Sequence, residues 1–298
     1  MVVRRPEEVH VKGKGITETF FLVPRRVGSV ASSVCSVPGL SREAKALRKK
    51  TQRLVDWNVK VLSDHLRKVV ARRQAVKGKK QVSQPTDLMF STKDRMGKTC
   101  LEEIEDTIAM PACDPKVIGR EVDPTTIDLG SVITSQLKFF VEKVAAKYHN
   151  NPFHNFEHAS HVAMSVDKLL TRVVKPDIDG NAGTPVAMDL HELTHGITSD
   201  PLTHFAIVLS ALIHDVDHRG VSNMQLALED PMMAEQYKNK SIAEQNSCDV
   251  AWDILMEPDL KDLRACIYSD REELHRFRQC IIKVVLGKCK VGGSFRSG

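Results

Sequence analysis

Seven cysteines, at positions 35, 100, 113, 248, 266, 280 and 289, form no C-x-x-C pair. An odd, scattered set excludes a disulfide framework and reads as reduced thiols in a cytosolic protein. A secretory leader is not expected either, because "MVVRRPEEVHVKGKG" has no apolar h-region. The longest apolar run is about nine residues, around Phe205–Ile213, against the ~20 needed to span a bilayer. Beyond about Leu101 no alternating strand pattern occurs, and no internal repeat is found anywhere. The chain as given is therefore expected to be soluble and cytoplasmic. With 298 residues and 42% hydrophobic content it can bury the core of one large domain or two ordinary ones.

The net charge of +5 hides an uneven distribution. Between Arg42 and Lys80 there are 14 Lys/Arg against three acids, a local +11, so the remainder is about −6. A basic segment suits nucleic acid or an anionic membrane surface, and equally a solvated helical linker. The linker is the simpler reading, and no nucleic-acid partner is expected.

Residues 1–23 read as strand, tight turn, strand: "EEVHVKGKG" and then "ITETFFLV", with Lys12-Gly13-Lys14-Gly15 as the turn. Two strands alone are marginal, so this piece looks detached from a sheet. "VHVKGKGITETFFL" resembles the C-terminal hairpin of class III nucleotide cyclases, which commonly end in V-K-G-K-G…T-Y/F-F/W-L. That resemblance implies a phosphate-contacting role for Lys12 in an intact cyclase. The family's metal-binding aspartates lie upstream of this hairpin and are absent here, so no cyclase activity is expected. Residues 24–95 read as a linker. Ser41 caps a basic amphipathic helix over about 41–76, striped by Leu47, Leu54, Leu62, Leu66 and Val69. Two fates fit that stripe: a coiled coil giving a homodimer, or packing on the next domain. "VKGKKQVSQPTD" then breaks the helix.

From there the signal is helical, so the fold class is all-α. "CLEEIEDTIAMP" reads as a short amphipathic helix stopped at Pro111. "DLGSVITSQLKFFVEKVAAKY" places Val132, Leu137, Phe140, Val141 and Val144 on one face, and "HASHVAMSVDKLLTRVV" does so with Val162, Val166, Leu169, Leu170 and Val173. "SDPLTHFAIVLSALIHDVDH" begins with Asp200 as cap and Pro201 at the first helical position. "KSIAEQNSCDVAWDILM" and "REELHRFRQCIIKVVL" follow.

Nine of the twelve histidines fall between His149 and His218, a window holding about a quarter of the chain. In "NPFHNFEHASHV", His154 and His158 are i, i+4 and share a helix face. In "ALIHDVDHRGVSN", His214-Asp215 ends a very apolar helix, so both arrive deep in the domain, where they are costly unless paired or metal-bound. Adjacent imidazole and carboxylate suit two metals, one softer and one harder. Two ions about 4 Å apart share and activate a hydroxide aimed at phosphorus. A histidine one turn from a ligand suits a general acid. His149, His161, His204 and His275 read as structural.

"NPFHNFEHASHV", "HDVDHRGVSN" and "KNKSIAEQNS" together resemble class I 3′,5′-cyclic nucleotide phosphodiesterases, whose pattern is H-N-x-x-H, H-D-x-D/x-H-x-G-x-x-N and S-x-x-E. The resemblance runs from about Leu101 to Leu286 and implies an HD-like helical catalytic domain over about 96–286 that hydrolyses cyclic AMP or cyclic GMP. It implies His154 as the acid on the 3′-oxygen, and His158, His214 and Asp215 as metal ligands, with Asp215 bridging. It places His218, Asn223 and Glu244 around the water of the second metal. The cofactors implied are two divalent ions, zinc with magnesium or manganese. The pattern departs at Gln245-Asn246-Ser247, where many members have paired histidines.

The family domain extends through further helices that supply another aspartate and the base pocket, whereas residues 287–298 are a Gly/basic tail without helical period. A truncated gene model is the expectation, with weak or no turnover by this chain. A parent protist or algal cyclase–phosphodiesterase fusion, membrane-anchored upstream with this part cytosolic, fits both resemblances.

One motif points elsewhere. His191-Glu192-Leu193-Thr194-His195 is a literal H-E-x-x-H, the zinc-protease signature. A protease needs it inside a continuous helix, and Gly196 and Asp200-Pro201 break the helix at once. The motif therefore reads as loop drift. The other rivals are a different HD-type phosphohydrolase and an inactive dimerising fragment.

Overall fold

The computed structural model describes residues 2–4, 9–11, 15–17, 20–22, 42–77, 88–95, 97–105, 108, 111, 122–173, 194, 197 and 199–287. The tight turn expected at 12–14, the linker 24–40, the helix break at 78–87 and the tail 288–298 lie outside them. Two units divide the chain, Met1–Arg42 and Glu43–Gly298. In the first, β2 (Val9–Val11) pairs antiparallel with β3 (Gly15–Thr17), and β1 (Val2–Arg4) with β4 (Phe20–Leu22). Val9 faces Thr17 and Val2 faces Leu22, so the pairs are nested.

Every other regular element described is helical. The α-helices are α1 (Arg42–Lys77), α2 (Cys100–Glu103), α3 (Gly130–Lys147), α4 (Phe156–Val173) and α5 (Pro201–Ile213). They continue with α6 (Asn223–Glu229), α7 (Pro231–Gln236), α8 (Ile242–Leu255), α9 (Lys261–Ile267) and α10 (Arg271–Gly287). Among the described residues no helix is long and apolar enough to cross a membrane.

α5 is the centre of the second unit. It packs against both α4 and α10, and all its residues except Ile207 are buried. Asp200 fixes its start by accepting from Thr203 N at 2.9 Å and Thr203 Oγ1 at 2.7 Å. Arg276 of α10 donates to the same carboxylate at 2.6 Å. Full burial of a Leu or Phe contributes roughly 1.5–3 kcal/mol. The apolar length of α5 thus offsets the cost of carrying His214 and Asp215 inside.

α1 takes the second of the two fates left open for its stripe, except at Leu47, which is exposed. Val55, Leu62, Leu66, Val69 and Ala71 are buried in the same core as α5. Asn58 donates to Ser160 Oγ of α4 at 2.9 Å. Arg73 reaches the C-terminal carbonyls of α9, Cys266 O and Ile267 O, at 3.0 Å each.

Three expectations are corrected. The helix read towards Pro111 ends at Glu103, where Ile104 turns extended. The cause is remote: Gln279 of α10 donates to Glu103 O at 2.7 Å and accepts from Glu105 N at 3.1 Å, so its amide satisfies the backbone instead of another helical turn. Val132 is exposed, and Ile133, one turn before buried Leu137, continues the α3 stripe. Leu169 is exposed too, because the buried line of α4 runs through Phe156, Ala159, Ala163 and Leu170.

His204 is structural as expected: Nε2 donates to Ile197 O at 2.7 Å and the ring meets His65 edge-on. Burial pushes its pKa down to about 4, with Lys68 and His65 adding to the effect and Asp200 opposing it. The unfolded imidazole titrates higher, so the unfolded chain takes up the proton first. This contribution is complete above pH ~6.5 and falls as pH drops towards 4, by roughly 3 kcal/mol in all. Urea unfolding at pH 7.5 and 5 is expected to show the loss. His204→Gln is expected to be less stable at pH 7.5 and flatter with pH, and an equally steep pH dependence in the variant contradicts the assignment.

Candidate metal centre

Two chain segments build the site. The first joins α3 to α4. Asn151 Oδ1 accepts from Phe153 N at 3.2 Å and His154 N at 2.6 Å, an Asx turn that folds the chain before α4. Asn155 then caps α4 by accepting from His158 N at 2.9 Å. His154 stands just ahead of the helix and His158 in its first turn.

The second segment leaves the C-terminus of α5. Val216 N and His218 N reach back to Ile213 O and Asp215 O at 3.1 Å each, closing a tight turn over 214–218. Gly220 follows at φ +80°, a conformation glycine adopts without strain. Asn151 Nδ2 donates to both His154 O at 2.9 Å and His218 O at 3.1 Å, tying the two segments together.

The donors converge on Asp215 Oδ2. His154 Nδ1 lies 2.8 Å from it, His214 Nε2 2.9 Å and His158 Nε2 3.9 Å. His154 stacks on His218 with centroids 3.8 Å apart. The ligand atoms of His158, His214 and Asp215 lie within 4.8 Å of one another, and so do those of His154, Asp215 and His218. Burial and the charge of His154 push His218 down. His218 Nδ1 accepts from Gly220 N at 3.0 Å, which assigns any ring proton to Nε2.

His214 shows that a cation fits. Its Nδ1 donates to Ala211 O at 2.8 Å, which leaves the lone pair on Nε2. That buried Nε2 makes no hydrogen bond, although Asp215 Oδ2 is 2.9 Å away. A lone pair facing a carboxylate in a low-dielectric interior repels unless positive charge lies between them. Two imidazoles and a carboxylate make a donor set that zinc accepts.

On the far side, Asn223 of α6 donates to Glu244 Oε2 at 3.0 Å and accepts from Ala243 N at 2.8 Å. The Glu244 carboxylate acts electrostatically on His218. His154, His158, His214, Asp215 and His218 are therefore brought together, and Asn223 pairs with Glu244, whose carboxylate acts on His218 electrostatically. His191, Glu192 and His195 of the H-E-x-x-H lie outside the described residues. Four residues went unassigned to the site. Asn151 binds both segments, while His149 and Asn246 contact Asp217 at 2.7 Å and 2.9 Å. The second Asp of H-D-x-D-H was the available signal for these.

The chain is 30% identical over 152 residues to the probable 3′,5′-cyclic-AMP phosphodiesterase pde-4 of Caenorhabditis elegans, covering 51% of this chain and 19% of that protein. It is 29% identical over 154 residues to the mouse (Mus musculus) dual specificity calcium/calmodulin-dependent 3′,5′-cyclic nucleotide phosphodiesterase 1C, covering 51% and 19%. It thus spans about a fifth of the length of these curated relatives. Among solved structures, the phosphodiesterase domain of the RhoPDE fusion protein from the choanoflagellate Salpingoeca rosetta matches with TM-score 0.40 at 27% identity, over 52% of this chain and 43% of that one. The segment that holds the converging histidines, residues 153–287, matches the model of the 3′5′-cyclic nucleotide phosphodiesterase family.

Proposed function

We propose that residues 153–287 are part of a metal-dependent catalytic domain that opens 3′,5′-cyclic nucleotides, cyclic AMP or cyclic GMP, to 5′-monophosphates in intracellular signalling. The observation that carries the reading is the buried Nε2 of His214, which in the neutral ring offers a lone pair beside the Asp215 carboxylate. His158, His214 and Asp215 would hold a zinc ion. The other side of Asp215, with His218, Asn223 and Glu244, suits a harder ion, magnesium or manganese, ordered through water. Such ions supply a water of lowered pKa and neutralise charge developing on phosphorus.

The chain's own groups do the rest. With His154 Nδ1–H held by Asp215 at 2.8 Å, the proton available to the leaving 3′-oxygen is the one on Nε2. The stacked His218 ring limits how His154 can turn. For residues 1–23 we infer a class III cyclase-type hairpin, supported by the V-K-G-K-G…T-F-F-L pattern and by the β2–β3 pairing on either side of 12–14.

Protein stripped of metal and reloaded with Zn²⁺ and Mg²⁺ is expected to convert cyclic nucleotide to the 5′-monophosphate slowly, far below the rate of a complete domain, followed by phosphorus NMR. Release of the 3′-monophosphate, or turnover indifferent to chelator, overturns the reading.

A further inference from the structure

The turn that presents Asp215 and His218 has an unusual residue between them. Asp217 sits at φ +61°, in the left-handed region that non-glycine residues seldom occupy. Nothing in the residue type alone holds it there. Its carboxylate is gripped from two directions instead: His149 Nε2 donates to Oδ1 at 2.7 Å, and Asn246 Nδ2 of α8 donates to Oδ2 at 2.9 Å. The neighbouring backbone is pinned on the same two sides. Ser247 Oγ donates to Val216 O at 2.6 Å from α8, and Asn151 Nδ2 donates to His218 O at 3.1 Å from the 149–151 segment. Each residue of the turn around Asp217 is thus tied to elements that carry neither Asp215 nor His218.

We propose that Asp217, clamped by His149 and Asn246, is a positioning residue that sets the separation and direction of the Asp215 and His218 donors. It acts by keeping the chain in a left-handed bend, so that residues two before and one after it point into the same site. The inference rests on the metal reading given under Proposed function. It also gives a use to Asn246, at the place where the sequence departs from the paired histidines of the family pattern. Here the position serves the turn through a neutral amide.

Asp217→Gly separates this role from a merely structural one. Glycine adopts φ +61° without strain, so a residue that only had to fit the turn would be replaced at no loss of stability. A clamp would still be lost. The expected result is thermal stability close to that of the parent chain with Zn²⁺ affinity, read by competition with a chromophoric chelator, reduced about 10- to 100-fold, the usual cost of removing a support behind metal ligands. Co²⁺ substitution reads the same change as an altered ligand-field spectrum. His149→Ala, at a half-exposed position, is expected to weaken affinity in the parent and to add nothing in the Asp217→Gly background, and Asn246→Ala to behave alike. If the parent binds Zn²⁺ and Asp217→Gly binds it equally, the clamp is overturned and the metal reading stands. If the parent binds no Zn²⁺, both fall.

Discussion

Asp215→Asn is expected to abolish metal binding and hydrolysis together, whereas His154→Ala is expected to keep the ion and lose only rate. The two side chains touch each other, at 2.8 Å, yet their chemistry differs. Asp215 supplies the one anionic oxygen on which His154, His158 and His214 converge, and it is buried. Asparagine keeps its shape and removes its charge. One rotamer would turn an amide N–H₂ towards the Nε2 lone pairs that should face the cation, and the other would offer only a neutral carbonyl. Zinc bound by two imidazoles and no anion is weakly held, so binding is expected to fall below detection at the concentrations where the parent chain is saturated. His154 lies beside the His158–His214–Asp215 group, not within it. Its removal costs the proton transfer, typically about 10²–10⁴-fold in rate. Equilibrium dialysis with Zn²⁺, run beside the turnover assay, reads both. Metal retained by Asp215→Asn, or metal lost from His154→Ala, contradicts these roles.

The sequence made legible what local rules determine. The Asp200 cap, Pro201 and the run Leu202, Phe205, Ala206, Leu209, Leu212 and Ile213 give α5 its start and its buried face. Because that face is apolar all round, His214-Asp215 at its end was readable as a buried polar pair. The shared helix face read for His154 and His158 was not met, because α4 starts at Phe156 and His154 lies in the turn ahead of it, held by Asn151. What stayed hidden depends on partners far away in the chain. Nothing near Glu103 announces that Gln279 will take its carbonyl, and α1 showed an apolar stripe without showing what would cover it. On α3 the pattern itself allowed Val132 or Ile133 to lead the stripe. The clamp on Asp217 joins His149, Asp217 and Asn246 across three segments, and only the fold brings them together.

Asp249→Ala is expected to destabilise the second unit more than any apolar truncation at its surface, by about 3–5 kcal/mol or on the order of 10 °C in Tm. Asp249 of α8 is buried and accepts from Arg95 Nη2 at 2.6 Å, from Cys100 Sγ at 3.0 Å and from Tyr237 Oη at 3.2 Å. Glu103 is the other anion of the cluster. It accepts from Arg95 Nη1 at 3.1 Å and takes both Nε and Nη2 of Arg278, at 2.6 and 2.8 Å. Two guanidiniums therefore meet two carboxylates, with Arg278 lying 4.5 Å over the Trp252 ring. Such a cluster adds little net stability when intact, since desolvation cancels much of the attraction. Removing one carboxylate is different. Arg95 and Arg278 then share Glu103 in the interior, and Cys100 and Tyr237 lose their acceptor. The cluster joins the 3₁₀ turn Thr92–Arg95 and α2 to α8 and α10, so the loss is felt across the unit. Arg95→Met in the same chain restores charge balance and is expected to recover a large part of the loss, because an apolar side chain tolerates that site better than an unpaired cation. Urea unfolding of the two single variants and the double variant makes the measurement. A change under 1 kcal/mol in Asp249→Ala, or no recovery in the double variant, would mean that the charges are not paired in the interior as described.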